Sequence, residues 1–389
     1  MSRSGGRLTL DFVSVSSQLH EMGTELEEQR PERLDRLRRA RETFHDLSEA
    51  WERLAEQARR ADRSAAAPLE PLNTRTERQK APPSYEVLAT DGSTIEPDRH
   101  GPAMCALVNI GRVRIRYGES PFAELDAQPT LYHRPDDLYV EQSGRRLLLR
   151  QRLLDARRSL AEMQALSDMC ATPDTPELPR VAMADGLLTI WREDWATPEG
   201  TAVVKRFSDA LRRIADLQLP VAAYISSPNS HWVADLIRGD ARCGDKCRLE
   251  CATVGCLFKG PIDVDLYNHL LPGERSGLFE VVGKDQIDYD EQVRSHFFYL
   301  NVGREIVRIE VPAWVAHDGD ALQLVHNVVC DQVDRGQGYP SALARAHEQA
   351  VLSGRDRIAF QQLVVESLAR AGLAAEVSEK QASKNRRAV

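Results

Sequence analysis

A chain of 389 residues is long enough for two domains, or for one large domain with appendages. Hydrophobic residues make up 42% and charged residues 28%, the balance of an ordinary water-soluble globular protein, and no apolar run approaches the ~18 residues that span a bilayer. The formal net charge of −8 excludes a protein that coats nucleic acid non-specifically, while leaving room for local basic patches of opposite sign.

The opening segment, MSRSGGRLTLDFVSVSSQLHEMG, has too short an apolar stretch for a secretory signal, so the expected location is the cytoplasm. From Pro31 to Ala61, Leu37, Ala40, Phe44, Leu47, Trp51, Leu54 and Ala58 recur in steps of three and four. That heptad seam predicts a long amphipathic helix, whose stripe needs a partner, either the protein's own body or a second copy. RSAAAPLEPLNTRTERQKAPPS then loses periodicity and gathers prolines. Residues 67–83 accordingly read as a linker between a helical segment, 1–66, and a main domain, 84–375, with a basic tail at 376–389.

The main domain opens on a short apolar strand, Val87 to Thr90, which runs into Asp91 and then Gly92 and Ser93, residues that commonly mark a turn. AMCALVNIGRVRIRYG reads as a strand or bent hairpin. SGRRLLLRQRLLDARR, Ser143 to Arg158, sets six arginines against one aspartate and merges into a helix that continues past Glu162. Arg145, Arg146, Arg150 and Arg152 suit a phosphate backbone, and suit a solvated helix face equally well. RVAMADGLLTIW is a second apolar strand that meets an acid, Asp185, followed by glycine. GTAVVKRFSDALRRIADLQ predicts a helix and PVAAYISSP a buried parallel strand. HFFYLNVG and EIVRIEVPAWVA form a hairpin about Asn301–Gly303, and two helices, SALARAHEQAVLSG and RIAFQQLVVESLARAG, close the chain. Strands alternating with helices after an initial hairpin give an α/β sheet with helices packed on it.

Seven cysteines without a secretory signal do not make a disulfide framework. Four of them, Cys243, Cys247, Cys251 and Cys256, lie in CGDKCRLECATVGC, an expected insertion at about 240–260. The first three would stack on one helical face. Four clustered thiolates suit a structural Zn²⁺ or an iron–sulfur cluster, although the spacing matches neither a paired CxxC zinc pattern nor a ferredoxin run. Buried free thiols are the plain alternative.

Asp91 and Asp185 share a context of apolar strand, acid, then glycine. Two carboxylates held at one sheet edge repel and raise each other's pKa unless a cation lies between them. Hard divalent ions take carboxylate oxygens, which points to Mg²⁺ or Mn²⁺. Two such ions, ~3.5–4 Å apart, can activate water and stabilise the leaving oxygen in phosphodiester cleavage. Two ordinary Asp–Gly turns are the competing reading.

YEVLATDGS, LVNIGRVRIRYG, VAMADGLLTIW and GQGYPSALARAHEQAVLSGRDR, in that order, resemble the NurA family of DNA end-processing nucleases. No single motif is specific; the ordered set is. The resemblance implies a ribonuclease H-like mixed sheet flanked by helices, a homodimer, dependence on Mn²⁺ or Mg²⁺, and docking on a HerA-type hexameric ATPase. It also implies nucleotide removal from DNA ends in the 5′ to 3′ direction, with single-strand endonuclease activity, as in double-strand break repair. By the same resemblance Asp91 and Asp185 are metal-binding aspartates. Glu162 of RRSLAEMQAL matches a helix glutamate, with Asp155 as the alternative one face-length earlier. Tyr339 of GYP and His347 of AHEQA match a C-terminal pair, the imidazole completing the metal shell and the phenol touching the scissile phosphate or the attacking water. A non-catalytic DNA-binding scaffold dimer and an RNA-directed nuclease of the same fold compete with this reading, and a cysteine-cluster redox enzyme stands further off.

Overall fold

The computed structural model describes residues 10–61, 64–142, 145–148, 151–172, 178–190, 198–240, 260–283, 286 and 289–373. In chain order its elements begin with α1 (Phe12–Asp46), α2 (Trp51–Arg59), β1 (Ala65–Pro68), β2 (Arg75–Thr76), β3 (Tyr85–Ile95), β4 (Ala106–Tyr117) and β5 (Phe122–Tyr132). Next come α3 (Pro135–Leu138), β6 (Tyr139–Gln142), β7 (Arg145–Leu148), α4 (Gln151–Cys170), β8 (Arg180–Asp185), α5 (Pro198–Asp216), β9 (Val221–Ile225) and α6 (Trp232–Asp240). The chain continues through α7 (Asp263–Leu266), β10 (Arg275–Ser276), β11 (Phe279–Val282), β12 (Ser295–Asn301) and β13 (Ile306–Pro312). It finishes with α8 (Ala313–Ala316), α9 (Gly319–Arg335), α10 (Ser341–Ala350) and α11 (Gly354–Arg370).

Nine strands lie side by side in the order β1-β11-β12-β13-β9-β8-β3-β4-β5. β3, β4 and β5 form an antiparallel meander; β8 joins the free edge of β3 in parallel, and β9 joins β8 in parallel. Parallel neighbours need a crossover, and α4 and α5 provide one each. This is the ribonuclease H-like mixed sheet that the resemblance implied. β13 then pairs antiparallel with β9 and extends the sheet toward β1.

The middle strands are apolar at consecutive positions because both of their faces are covered. Leu88, Ala182, Ala184, Val221 and Ala223 pack with Leu154, Leu160 and Phe207 of α4 and α5. Val87, Ala89, Val181, Met183 and Tyr224 face Val325 and Val329 of α9 and Leu343 and Ala346 of α10. A third cluster joins Ala40, Phe44, Leu54 and Ala58 of α1 and α2 to Tyr267, Phe279 and Phe297. The heptad seam is therefore covered by the protein's own body. The part of α1 before the seam is not: Phe12, Leu19, Met22, Leu26 and Leu34 are exposed.

Several expectations change. The seam is two helices, since the chain breaks into a 3₁₀ turn at Ser48–Ala50, and α1 starts well before Pro31, at Phe12. The segment read as a linker carries β1 and β2, which pair with β11 and β10. Ala66, Ala67 and Leu72 are fully buried, so this stretch belongs to the sheet despite its prolines. Residues 145–148 pair with β6 as a hairpin strand, and the helix after them begins only at Gln151. β5 and α9 were not anticipated. β5 is exposed along nearly its whole length and so lacks a clean two-residue alternation. The cysteines of the 240–260 segment lie outside the described residues. Among the described residues no helix is long and apolar enough to cross a membrane.

Two buried histidines give the fold a pH dependence. His296 and His326 are 2% and 0% exposed, and desolvation lowers both pKa values to about 4. The unfolded chain takes up protons near the ordinary value of 6.5, before the folded chain does, so stability falls as pH drops from 6.5 toward 4. Each histidine should account for about 2 kcal/mol between pH 7 and pH 5. His326 Nε2 lies 2.9 Å from the Gly273 carbonyl, a bond that glutamine can keep. Denaturant midpoints of His326→Gln should therefore vary less across this range than those of the wild type.

Candidate active site

β3 does not turn at Asp91. It pairs with β4 without interruption from Tyr85 to Ile95, and Gly92 sits inside the strand. Its lack of a side chain has a different cause from the turn expected. A Cβ on Gly92 would lie 2.5 Å from Glu162 Oε1 and 2.8 Å from Arg158 Cγ, so any other residue there would displace these two side chains of α4. Thr90 Oγ1 donates to the Glu162 carbonyl at 3.2 Å and fastens that turn of α4 to the strand.

Thr90 lies opposite Ala184 in the parallel β3–β8 register, so the next residues, Asp91 and Asp185, stand abreast where β8 ends. Registered residues of neighbouring strands project to the same face, and adjacent strands run about 4.8 Å apart, so the two acids are neighbours on one face of the sheet. The partner of Asp91 on its other side is Gly111 of β4. A Cβ at Gly111 would lie 2.2 Å from the Ala346 carbonyl oxygen and 2.7 Å from Ala350 N, so here the backbone of α10 rests directly on the sheet. Asn109 Nδ2 donates to the carbonyls of Gln349 and Ala350 at 3.2 and 2.9 Å, and Ser93 Oγ donates to the latter at 2.5 Å. These bonds satisfy the last carbonyls of α10 and fix its end.

With α10 seated this way, His347 Nδ1 donates to Asp91 Oδ2 at 2.7 Å. The other Asp91 oxygen accepts the Gly92 amide at 2.7 Å. The bond to Asp91 sets the imidazole tautomer and leaves Nε2 out of it. Tyr339 arrives on the turn between α9 and α10, where Gln337 and Gly338 adopt φ of 58° and 123°. Its hydroxyl hydrogen-bonds Asp185, and its ring meets Tyr224 edge-on with centroids 5.2 Å apart. Pro340 occupies the N-cap position of α10.

The electrostatics follow from crowding acids at a half-dry edge. Burial raises the Glu162 carboxyl to about 7; Arg158 opposes this, while Asp91 and Asp185 add to it. Arg158 Nη1 donates to Glu162 Oε1 at 2.5 Å and approaches the Gly92 carbonyl at 3.5 Å. Asp185 has solvent on its open side, yet desolvation by the surrounding wall raises its carboxyl, with the Asp91 charge next; the Tyr339 hydroxyl pulls it back. Desolvation and the Asp185 charge together push the Tyr339 phenol well above its ordinary value.

Arg152, Asp155, Arg158, Glu162, Asp185 and Thr189 line one open cleft of about 360 Å³. Only Glu162 and Asp185 of the expected metal ligands line it; Asp91, Tyr339 and His347 are linked to them by the Asp91–His347 and Asp185–Tyr339 bonds and by electrostatic interaction. Asp155 lies at the cleft wall and accepts from Gln151 Nε2 at 2.8 Å, whereas Glu162 is the carboxylate that reaches β3. Arg152 is exposed on α4, Arg145 and Arg146 fall in β7, and Arg150 and the four clustered cysteines lie outside the described residues. Among the described residues no three carboxylate, imidazole or thiolate groups are already gathered closely enough to cage an ion. The donor chemistry nevertheless fits a hard divalent ion, with carboxylate oxygens and one imidazole. The reading of residues missed Gly111, Asn109, Ser93 and Arg158. Only Gly111 had a visible signal, an isolated glycine within a β-branched run.

Gly111→Ala should lift α10 from the sheet and part His347 from Asp91. The expected cost is about 2 kcal/mol in chemical denaturation. The same substitution at solvent-open Gly186 tests a different position, where φ of 94° alone carries the strain.

The NurA domain model matches residues 85–352. No curated protein matches the chain. Among solved structures, a crystal structure of NurA with manganese is 8% identical, covering 74% of this chain and 90% of that one with a TM-score of 0.39. A second NurA crystal structure is 9% identical, with 76% and 90% covered and a TM-score of 0.38. A type 1 RNase H with the type 2 active-site motif is 12% identical over 37% of this chain and 64% of its own, with a TM-score of 0.23. The family match begins at the first residue of β3, ends just beyond α10, and encloses every side chain of the cleft described above; the chain belongs to the NurA domain family.

Proposed function

We propose that this protein is a divalent-metal-dependent deoxyribonuclease that trims DNA ends, 5′ to 3′, and also cuts single strands internally. One observation supports the reading: Asp91, Glu162, Asp185 and His347, from β3, α4, β8 and α10, lie within electrostatic reach of one another on a ribonuclease H-like sheet in a member of the NurA family. Asp91, Asp185, Glu162 and His347 would hold Mn²⁺ or Mg²⁺, two ions in all. When bound, such ions lower the pKa of water and neutralise charge on the leaving 3′-oxygen.

The remaining steps belong to the chain's own residues. Asp91 orients the His347 ring through the Nδ1 bond. Tyr339 is tied to Asp185 and keeps its proton at any physiological pH, so it can only donate a hydrogen bond, to a phosphate oxygen or to the attacking water. Arg145, Arg146, Arg150 and Arg152 contact the DNA backbone on the way in, which requires binding to weaken steeply with added salt.

The protein would act as a homodimer in concert with a HerA-type hexameric ATPase, in the cytoplasm and in double-strand break repair. The exposed apolar positions on the first half of α1 supply surface for assembly. The cysteine segment would hold Zn²⁺ or an iron–sulfur cluster in a structural role.

A labelled duplex end incubated with Mn²⁺ tests the reading. Asp91→Asn, Glu162→Gln, Asp185→Asn and His347→Ala should each lower the digestion rate by about a hundredfold or more, with thermal melting of the metal-free protein little changed. Digestion that persists in Asp91→Asn at the wild-type rate would overturn the site.

A further inference from the structure

Arg158 lines the cleft, and the nuclease reading gives it no task. Its stem lies on Gly92, and its guanidinium bonds Glu162 Oε1 at 2.5 Å. The side chain is 28% exposed, against 11% for that of Glu162, so the arginine has the more open route out of the contact. The same guanidinium is within electrostatic reach of Asp91 and Asp155. It is thus a built-in cation beside the acids of the site. The backbone at position 162 is held to β3 by the Thr90 bond to its carbonyl, and Arg158 is the hydrogen-bond partner at Oε1.

We infer that Arg158 is a placeholder cation, which yields Glu162 Oε1 to the divalent ion and turns to a phosphate of the incoming DNA strand. The inference rests on the nuclease reading and deepens it. Three consequences follow from the geometry. A metal ion must displace a charge-assisted hydrogen bond, so metal binding to the protein alone is weakened. A phosphate in the cleft gives the released guanidinium a bidentate partner, so DNA tightens metal binding. Coupling of two ligands is reciprocal, so the metal tightens DNA binding by the same factor. Arg158 would then prevent the ion from being held firmly before substrate is present. It is a positioning residue for the metal and a contact residue for the strand.

The experiment measures Mn²⁺ affinity by electron paramagnetic resonance of free Mn²⁺, with and without a short phosphorothioate oligodeoxynucleotide that resists cleavage. Wild-type protein should bind Mn²⁺ several-fold more tightly with the oligonucleotide present. Arg158→Ala should bind Mn²⁺ about tenfold more tightly than wild type when DNA is absent, the loss of one charged hydrogen bond, and should show no further gain from DNA. Arg158→Lys, which keeps the charge but cannot fork, should fall between the two and guards against misfolding of the alanine variant. Arg152→Ala, which removes a second arginine from the same cleft, should leave Mn²⁺ affinity without DNA near the wild-type value and so separates release of Glu162 from general charge repulsion. Equal or weaker Mn²⁺ binding by Arg158→Ala, an unchanged response to DNA, or equal tightening by Arg152→Ala overturns the inference. If wild type binds Mn²⁺ and digests DNA while Arg158→Ala behaves in any of those ways, the placeholder alone falls. If wild type neither binds Mn²⁺ nor digests DNA, the nuclease reading falls and takes the placeholder with it.

Discussion

The seating of α10 on Gly111 is the constraint on which the rest of the site depends. A helix normally stands about 10 Å from a sheet because side chains fill the gap. Here the Ala346 carbonyl occupies the space where a Cβ would be, and Asn109 and Ser93 fasten the end of the helix. Only at that distance can His347 reach across to Asp91, 256 residues earlier in the chain. On the opposite face Gly92 plays the same part for α4, admitting the carboxylate of Glu162. Two glycines on neighbouring strands thin the sheet on its two faces, one for each helix that carries a functional side chain.

That arrangement places acids where charge is costly. Glu162 is buried, is pushed up to about 7, and is offset only by Arg158. Asp185 is raised by burial and by Asp91, with Tyr339 in partial compensation. A fold does not keep mutually repelling carboxylates half-dry for stability, since apolar residues would cost less. Strain of this kind is characteristic of sites that bind cations or move protons.

Much of this was legible in the order of residues, and what was not has definite physical causes. The apolar runs at Val87 and Val181 and the apolar positions of the helix carrying Glu162 are readable in the sequence, because these segments are buried. Asp91 and Asp185 stand out as acids that end apolar runs. The turn expected at Gly92 does not exist, because a glycine that admits a neighbouring helix and one that reverses the chain look alike in one dimension. The linker expectation failed at Ala65–Pro68 for a related reason: short strands paired at a sheet's far edge carry prolines and small residues without alternation. The His347–Asp91 bond and the Arg158–Glu162 pair depend on contacts between distant segments, to which local pattern gives no access.

The exposed half of α1 lies outside the family match, as does α11. The matched residues alone contain the proposed chemistry. The most direct test of that chemistry is anomalous diffraction from crystals of the protein soaked in Mn²⁺. The account predicts anomalous density between Asp91 and Asp185, with Glu162 turned toward it. Well-ordered side chains at those three positions with no anomalous density between them, or manganese bound only elsewhere, would contradict it.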